Sequence, residues 1–579
     1  MRFLPVNLDA VLVELDDLQQ TLALLASLQA DPIAGVDEIV PAARTLLVNF
    51  RPAAISRARL IERIGGRGLD ARVEQPGERI EIPVSYDGED LEEVARLLGI
   101  SVAEVVRRHT DGDYMVAFTG FAPGFAYLTG GHPSFNVPRH ATPRTRIPAG
   151  AVGLAGRFSG VYPQASPGGW QIIGITATPM WDLSRERPAL LQPGQRVRFV
   201  DIGERAALVA TKTEAPAALT ATEDIAQLLP PPLGEGRGGG QRRRHWEQRL
   251  APIPAFPQRG KEKNTEHSVA TASAESAATL EVLQTGLQAL FQDLGRHGHA
   301  DQGVSASGAM DRAALRAANR LVGNHADAAG IETVYGGLRL VCHGEAVVAV
   351  TGAQGPLELI AASGARWPVP RHAPVALTEG DTLTLGEPCA GVRSYIAARG
   401  GFAVAPVLDS RATDTLAHIG PPPIAPGDLL PIRPAPAGAV VGAPETPPDD
   451  LPVIDQIVTL DVVMGPRTDW FTPAAIKRFA SQVWRVTPQS DRVGLRLMGA
   501  AALERAPAMQ RAELPSEGTA LGALQVPPDG QPVLFMADHP LTGGYPVIAS
   551  IATHHLDRAG QLPVGARLRF RPITAFEVL

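Results

Sequence analysis

Pro167-Gly168-Gly169-Trp170-Gln171-Ile172-Ile173-Gly174 returns in outline far downstream as Thr542-Gly543-Gly544-Tyr545-Pro546-Val547-Ile548-Ala549. Each copy is a Gly-Gly-aromatic step into an apolar strand. Each is followed by a Gly-x-Arg-apolar-Arg-Phe segment, at 194–199 and at 565–570. Features that recur in one order along a chain predict repeated structural units. The sequence therefore predicts two related β-domains in one polypeptide.

The composition favours β-structure with many turns. The chain has 579 residues, of which 59 are glycine and 52 are proline. This excess of turn-forming residues favours short strands over long helices. The length allows roughly four domains of ordinary size. We therefore predict a mainly β fold.

Charge and hydropathy argue against several classes of function. The formal net charge is -7, and no sustained basic face occurs outside an arginine run at 242–244. Nucleic-acid binding is therefore not expected. Acidic residues begin at Asp9, too early for a signal peptide, and no apolar run approaches the length of a membrane span. We expect a cytoplasmic protein that contacts no membrane.

Lysine is scarce, and this limits the ways in which a nucleotide could be bound. Only four of the 53 basic residues are lysines, and no Gly-x-x-x-x-Gly-Lys-[Ser/Thr] motif occurs. No lysine lies in an Ala/Val-Met-Lys-Met setting, so covalent biotin on this chain is not expected. Any nucleotide phosphate would have to be held by arginine, backbone N–H groups and a carboxylate-bound metal.

Periodicity and composition divide the chain into five segments. Strand and helix alternate over 1–84, which predicts a small α+β lobe with helices at 18–30 and 54–65. Residues 85–228 are predicted to form a barrel: helices that Asp90 and Ser101 would cap come first, and short strands punctuated by glycine and proline follow from Tyr114 to Ile202. Residues 229–278 are predicted to form a disordered linker. The remaining segments are 279–440 and a final β-unit at 441–579.

A Gly-x-Gly-x-x-Gly match at 234–239 lies inside that predicted linker. No strand precedes it and no apolar helix follows, although a dinucleotide-binding turn requires both. We interpret it as linker sequence.

Several stretches of the first half are distinctive: 109–110, 120–128, 138–139, 142–150 and 167–170. On these stretches, residues 1–228 resemble the first component of the allophanate hydrolase/KipI family, which is associated with the B component of 5-oxoprolinase. The distinctive stretches of the second half are 292–296, 303–304, 307–311, 319–324, 491–497, 516–518, 525–530 and 543–546. On these, residues 280–579 resemble the KipA family, which is associated with the C component of 5-oxoprolinase. One departure is Asp538-His539-Pro540-Leu541-Thr542, where the family has Asp-x-Gln-Thr-Thr.

The resemblance implies cyclophilin-like β-barrels in both halves and a fusion of two polypeptides that are elsewhere separate. It implies an ATP-dependent 5-oxoprolinase activity, with Mg²⁺, in which a separate A component takes part and 5-oxoproline is hydrolysed to L-glutamate. One alternative is a carboxyltransferase module that acts on urea or a similar small amide with a separate biotin carrier. A second alternative is a kinase-regulatory binding module.

The candidate residues of the first half lie around its Gly-rich turns. Arg139, Arg144 and Arg146 are close in sequence and could hold a phosphate or carboxylate, or could pair with surface acids. His109 ends a predicted helix and is a candidate substrate ligand or general base, or a helix-terminal charge. Further candidates for the binding pocket, with core packing or turn formation as the alternative, are Gly124, Phe125, Tyr127, Gly168, Gly169 and Trp170.

The second half supplies acidic candidates. Glu517 and Asp538 are candidates for Mg²⁺ binding or general acid/base chemistry. Asp293 is a further catalytic candidate and Arg296 a candidate for binding the substrate or nucleotide; the two flank a glycine. Ser307 and Asp311 lie at a predicted helix start, where either anion binding or capping is expected. The Gly543-Gly544-Tyr545 step is expected to face Gly168-Gly169-Trp170 across one site. The His297/His299 and His554/His555 pairs have no third ligand nearby in sequence and are interpreted as surface histidines rather than a metal site.

Overall fold

The computed structural model describes residues 1–69, 79–140, 144–203 and 278–579. Residues 229–277 of the predicted linker, including the glycine motif at 234–239, lie outside the described residues. Residue 278 already begins a strand.

The chain begins with an α+β lobe, as the alternating pattern predicts. The lobe is a sheet of four antiparallel strands. Numbered along the chain, the strands lie side by side in the order 1-2-4-3, and two helices cover one face of the sheet. Asp17 and Ser56 cap the helices by accepting hydrogen bonds from Gln20 N and Arg59 N. The strands are Arg2–Asn7, Ala10–Glu14, Val36–Pro41 and Thr45–Phe50, and the helices are Leu18–Ala30 and Arg57–Gly65.

A seven-stranded, nearly closed barrel follows the lobe. A bridge between Ser85 and Ile175 joins its two edge strands. In spatial order the strands are Gln171–Ile175, Ala151–Ala155, Phe158–Val161, Ala126–Thr129, Tyr114–Thr119, Arg196–Asp201 and Arg79–Val84. A separate two-stranded ribbon pairs Arg144–Ile147 with Ser166–Gly168.

The structure corrects the predicted boundary at residue 84. Strand Arg79–Val84 pairs in parallel with Arg196–Asp201 and therefore belongs to the barrel rather than to the lobe. Two helices, Leu91–Leu98 and Val102–Thr110, pack on this barrel. Ser101 caps the second helix as predicted, because its side chain accepts from Glu104 N at 3.2 Å.

Asp90 stands at the cap position of helix Leu91–Leu98 but does not cap it. Its carboxylate accepts from Ile172 N at 2.7 Å and from the Arg144 guanidinium at 2.9 and 2.6 Å. The predicted capping role is therefore wrong, because tertiary partners have taken the carboxylate.

The next region is a β-sandwich. Its two sheets share one hydrophobic core, and helix Arg312–Val322 covers the outer face of the smaller sheet. The six-stranded sheet has the order Arg366–Pro368, Leu357–Ile360, Thr382–Leu385, Leu338–Gly344, Ala278–Thr285 and Leu429–Ile432. The five-stranded sheet has the order Gln288–Gln292, Gly330–Val334, Ala390–Ala398, Ala346–Gln354 and Pro374–Leu377.

The chain ends in a closed seven-stranded barrel around a large apolar core. Its helices are Pro473–Ser481, which Thr472 caps, and the short Leu556–Gly560. In spatial order its strands are Ile457–Met464, Val547–Ile551, Ala523–Gln525, Val533–Phe535, Gly494–Gly499, Trp484–Val486 and Arg567–Pro572. Short 3₁₀ helices occur at Ala300–Gln302, Thr468–Trp470, Pro507–Met509 and Thr553–His555.

The two barrels have matching strand arrangements, which confirms the repeat in the sequence. In each, the first strand pairs in parallel with the last, the one that carries the Arg-apolar-Arg-Phe segment. In each, a two-stranded ribbon leads into the Gly-Gly-aromatic step; in the second barrel this ribbon pairs Glu517–Gly518 with Thr542–Gly543. The fold is therefore mainly β, with related barrels in both halves.

Among the described helices, none combines the length and the apolar character that crossing a membrane would require.

Candidate functional site

The first half, residues 1–203, contacts the second half, residues 278–579, along what we call the inter-half interface. Hydrogen bonds cross it at several places. They join Thr119 Oγ1 to Ala300 O at 3.0 Å, Gly124 N to Gln302 O at 2.9 Å, Gln164 Nε2 to Leu416 O at 3.2 Å and Ala43 N to Ser516 O at 3.1 Å. Apolar side chains of the lobe also pack with Ala300 and Leu541. The two halves therefore form one packed unit.

Glycine at position 120 allows the first half to approach a side chain of the second half closely. A Cβ built on Gly120 would lie 2.6 Å from the side chain of Thr542. Real Cβ atoms do not approach other atoms so closely, so a larger residue at position 120 would force the Thr542 segment away.

The Arg139–His140 segment contacts both Gly-Gly turns. The backbone N–H of His140 donates to Gly169 O at 2.8 Å, which fixes Arg139 beside the first turn. The Arg139 Nη1 atom lies 3.1 Å from the position of a Cβ built on Gly544, in the second turn. The backbone of the Arg139 segment therefore lies against the first turn, and the Arg139 guanidinium lies against the second.

Two hydroxyl groups complete what we call the Arg139 cluster: Arg139, Tyr127, Ser516 and Gly544. Arg139 Nη2 lies 3.5 Å from Ser516 Oγ, and Ser516 Oγ lies 3.5 Å from the Tyr127 hydroxyl. Both contacts are at the long limit of a hydrogen bond, so these groups are only loosely paired with one another. The arrangement leaves donors available to a ligand.

Aromatic side chains form the wall behind this cluster. Tyr127 stacks on Phe118 at 4.3 Å between ring centroids and contacts the edge of Trp170 at 5.6 Å. Phe125 is 1% exposed, and its ring packs against the ring of Trp170. Trp170 and Phe125 are thus core residues that support the wall, which was the alternative prediction for them.

Gly124 forms the predicted tight turn, with φ of 76°. Its N–H group is already bonded to Gln302 O across the inter-half interface. The glycine therefore serves the docking of the two halves rather than offering a free donor.

Arg144 and Arg146 do not join Arg139 in one anion site. Arg144 makes a bidentate ion pair with Asp90, and Arg146 is exposed on the same strand. Burial opposes ionisation of Asp90, but hydrogen bonds from Arg144, the Ile172 N–H and His140 hold its pKa below the usual range. The structure therefore supports the alternative of a local acid pair for Arg144.

The position of His109 argues against the predicted ligand or base role. It is fully buried in the first barrel, and its ring stacks on Phe199 at 4.4 Å. Tyr86 and Ser159 hydroxyls lie 2.7 and 2.9 Å from its two ring nitrogens. Burial lowers the pKa of His109 to about 3. It is a neutral core histidine with both nitrogens bonded.

Asp538 is buried in an ionic network and, as placed, is not available to Mg²⁺. Its carboxylate accepts two hydrogen bonds from Arg492, each 3.0 Å, one from Ser307 Oγ at 2.6 Å and two from Thr415. Arg492 also donates to Glu332 at 2.5 Å. Burial opposes ionisation of Asp538, yet the Arg492 charge keeps its pKa below the usual value. The network joins the sandwich to the last barrel.

Glu517 is paired in a similar way. Its carboxylate accepts from Arg467 Nε at 2.9 and 3.0 Å, and Arg467 also donates to Glu14 of the lobe at 2.8 Å. Burial raises the pKa of Glu517, although Arg467 counteracts this effect. Both predicted Mg²⁺ or acid/base carboxylates are thus held by arginines, which argues against those roles.

Asp293 and Arg296 maintain a loop rather than a site. The Asp293 carboxylate accepts from Gly295 N at 2.9 Å, Ser410 Oγ at 2.7 Å and Arg411 N at 2.6 Å. Arg296 is buried, donates to Ala412 O and lies 3.9 Å from Asp414. Burial lowers the pKa of Arg296.

Asp311 caps helix Arg312–Val322, the alternative that the sequence left open. Its side chain accepts from Ala314 N at 2.8 Å and from Gln561 Nε2 at 2.8 Å. Burial, reinforced by the nearby Asp557 charge, raises the pKa of Asp311 to about 7. Ser307 belongs to the Asp538 network instead and adopts a φ of 54°.

In the structure Asp461 lies beside the His554/His555 pair, which the sequence did not indicate. The potential metal-ligand atoms of the three side chains lie within 4.8 Å of one another. However, Arg571 already binds both Asp461 oxygens, and His555 Nδ1 accepts from the Asp461 N–H at 2.9 Å. Because His555 then carries its proton on Nε2, this arrangement does not suit a metal ion.

Sequence reasoning did not single out Ser516, Arg467 or Arg492 as site or network residues. Ser516 and Arg492 lie in segments that carry the family resemblance, and this was the available signal. Their partners are distant in sequence: Arg139 and Ser516 are 377 residues apart.

A surface cavity of about 260 Å³ lies elsewhere, between helix Leu18–Ala30, strand Tyr114–Thr119 and Asp301. Arg187 and Asp301 form an ion pair at 3.6 Å on its wall. None of the predicted site residues lines it.

Comparison with known proteins places each half in a family. Residues 1–191 match the model of the carboxyltransferase domain, subdomains C and D, and residues 302–572 match that of subdomains A and B. The first half is 39% identical to the B component of the 5-oxoprolinase of Bacillus subtilis over 200 residues, which is 32% of this chain and 82% of that protein. The second half is 34% identical to the C component of the 5-oxoprolinase of Escherichia coli over 307 residues, which is 52% of this chain and 93% of that protein.

A solved structure contains both halves in one chain. The crystal structure of TTHA0988 is 30% identical in sequence, with a TM-score of 0.74, and the match covers 97% of this chain and 99% of that one. The predicted pairing of a B-like half with a C-like half is confirmed by these similarities.

Proposed function

The chain belongs to the family of 5-oxoprolinase B and C components, with carboxyltransferase subdomains in both halves, and we propose that it is the fused B–C component of a 5-oxoprolinase. In this proposal it acts with a separate A component to hydrolyse 5-oxoproline to L-glutamate at the expense of ATP. The relatives are enzyme components, so a role within an enzyme is the part of the proposal that rests on the family itself.

The observation that carries the proposal is the convergence of both Gly-Gly turns on Arg139. The backbone next to Arg139 is bonded to Gly169 of the first half, through the His140 N–H, and the Arg139 guanidinium lies against Gly544 and Ser516 of the second half. A site built this way requires both halves. This explains why fusing a B-like and a C-like unit would preserve one function.

The chemistry of the substrate sets what the site must do. A five-membered lactam is a stable amide, so its carbonyl must be activated before water can open the ring. ATP would supply a phosphoryl group for this activation, a reaction that depends on positioning and charge neutralisation. The chain's own residues would bind and orient the lactam at the Arg139 cluster, against Tyr127, whose ring Trp170 supports from behind.

The predicted Mg²⁺ ligands, Glu517 and Asp538, do not fit a metal ion as placed, because Arg467 and Arg492 already neutralise them. We therefore derive no step through Mg²⁺ on these residues. In the proposal, arginine and backbone groups perform the electrostatic role on this chain.

The test is a reconstitution assay. The full chain, mixed with a matching A component, 5-oxoproline and ATP, is expected to release equal amounts of glutamate and ADP, measured by chromatography. Reactions that lack ATP, the A component or this chain serve as controls. Absence of glutamate from the complete mixture would contradict the proposal.

A carboxyltransferase function is the second candidate, because both matching family models describe carboxyltransferase subdomains. In that case, a carboxylated biotin carrier supplied by another chain should be consumed when urea is added. Measuring carboxybiotin loss with urea, beside glutamate release from 5-oxoproline, separates the two functions. The kinase-regulatory alternative remains a prediction from the resemblance.

A further inference from the structure

Arg139 differs from Arg144, Arg467 and Arg492, three arginines in and around the candidate site that are buried or half-buried. Arg144, Arg467 and Arg492 each form a bidentate or double ion pair with a carboxylate. Within 1–69, 79–140, 144–203 and 278–579, Arg139 has no ion pair with a carboxylate, and its hydrogen bond to Ser516 is at the long limit, 3.5 Å. A guanidinium has five N–H donors. Most of those of Arg139 are therefore left for a ligand or solvent.

The burial of the cluster makes this lack of a partner significant. Arg139 is partly buried, and Tyr127 and Ser516 are each 5% exposed. A positive charge that is partly removed from water is costly unless an anion or several acceptors compensate for it. The cluster therefore favours a bound anion.

The neighbours of Arg139 are donors rather than acids. The Tyr127 and Ser516 hydroxyls lie 3.5 Å apart, and both can donate to an oxygen atom. Gly544 has no side chain, and this leaves room beside Arg139 Nη1. A Cβ at position 544 would lie only 3.1 Å from that nitrogen and would fill the space. One fixed positive charge with two hydroxyl donors suits a single carboxylate better than a multiply charged phosphate chain.

We infer that the Arg139 cluster binds the carboxylate of a small amide substrate, with Arg139 as the residue that selects an anionic amide over a neutral one. For the identity of the ligand, this inference rests on the proposed function. 5-Oxoproline carries a carboxylate beside its lactam, whereas urea and 2-pyrrolidinone do not. A neutral amide would leave the Arg139 charge without a partner.

The experiment measures binding to the full chain without the A component, by isothermal titration calorimetry. The probes are 5-oxoproline, 2-pyrrolidinone, urea and inorganic phosphate. Wild-type protein is expected to bind 5-oxoproline and to bind 2-pyrrolidinone at least about tenfold more weakly, the loss typical of a missing charged hydrogen bond. Equal affinity for the two lactams, or no binding of 5-oxoproline, overturns the inference.

The variant Arg139→Met should weaken 5-oxoproline binding by about tenfold or more, since it removes a charge-assisted pair. Arg139→Lys keeps the charge but not the planar fork and should lose less affinity. The matched control is Arg157→Met, an exposed arginine in the turn between strands Ala151–Ala155 and Phe158–Val161 of the same barrel. It should leave the affinity unchanged.

Folding of each variant is checked by its melting temperature, and Ser516→Ala provides a milder change in the same cluster. Ser516→Ala should weaken 5-oxoproline binding severalfold while the protein stays folded. If Arg139→Met and Ser516→Ala both bind 5-oxoproline as wild type does, the carboxylate site lies elsewhere and the inference fails. If Arg139→Met and Ser516→Ala both lose affinity for inorganic phosphate but keep their affinity for 5-oxoproline, the cluster binds phosphate and the inference also fails. The reconstitution assay can still succeed in either case, so the two proposals fail separately.

Discussion

Gly303 lies so close to Ala122 that a Cβ built on it would stand 2.6 Å from the Ala122 carbonyl oxygen. Gly303 belongs to the second half and Ala122 to the first. The contact therefore sets how closely the two halves pack beside Gly124, whose N–H donates to Gln302 O. Gly303 has a φ of 77°, a conformation that residues with a side chain rarely adopt.

We expect Gly303→Ala to lower the free energy of unfolding of the whole chain. The added methyl group would strike a backbone oxygen, and overpacking of this kind costs about 1–3 kcal/mol. Gly298→Ala is the matched control, because Gly298 also has a positive φ, 86°, but nothing lies within 4 Å of a Cβ built on it. Urea denaturation measures both variants. Equal losses in the two would show that backbone strain, not contact between the halves, is responsible.

We expect Asp538→Asn to destabilise the fold rather than to abolish a catalytic step alone. Neutralising one member of a buried ion pair leaves Arg492 undercompensated, and breaking such pairs typically costs about 3–5 kcal/mol. The control is Asp455→Asn, which neutralises an exposed carboxylate. Thermal unfolding followed by circular dichroism gives the comparison. A variant as stable as wild type but inactive in reconstitution would instead support the acid/base role.

Glu517→Gln tests the second arginine-held carboxylate. Arg467 would keep Glu14 as its remaining charged partner, so we expect a smaller loss than for Asp538→Asn, about 1–3 kcal/mol. The loss should be the same with and without added MgCl₂. Glu504→Gln, which removes the charge from a half-exposed pair with Arg478, is the control and should change little. A Mg²⁺-dependent stability that disappears in Glu517→Gln would contradict this interpretation.

His109 should make the stability depend on pH under acidic conditions. Burial holds its pKa at about 3 in the folded chain, whereas the ordinary value of 6.5 applies after unfolding. Between these values the unfolded state binds more protons, so the free energy of unfolding falls as pH falls from about 6.5 toward 3, by up to about 1.4 kcal/mol per pH unit. Buried His539, with its pKa lowered to about 4, adds to the same trend.

The measurement is urea denaturation at a series of pH values from 7 down to the acid limit of the folded state. His109→Asn should reduce the slope of stability against pH, because the titrating group is gone. His132→Asn, which replaces an exposed histidine, should leave the slope as in wild type. An unchanged slope in His109→Asn would mean that other groups cause the acid sensitivity.

Local patterns in the sequence predicted the elements well. Helix Leu18–Ala30 has the predicted bounds, and Ser101 and Asp311 cap the helices expected of them. These features depend on neighbours within a few residues, such as a side chain and an N–H three positions later. Asp90 shows the limit of this reasoning, because Arg144 lies 54 residues away and takes the carboxylate that the local pattern assigned to a cap.

The ordered recurrence of the Gly-Gly-aromatic and Arg-apolar-Arg-Phe segments determined, by itself, that the chain has two related β-domains, since turn and strand signals depend on local sequence. Only the tertiary structure decided which charged residues are free. Asp538 and Glu517 find arginines 46 and 50 residues away, whereas Arg139 meets Ser516 across the inter-half interface and finds no acid among the described residues. Charges pair according to distance in space after the chain has folded, and that distance is not encoded in any local pattern.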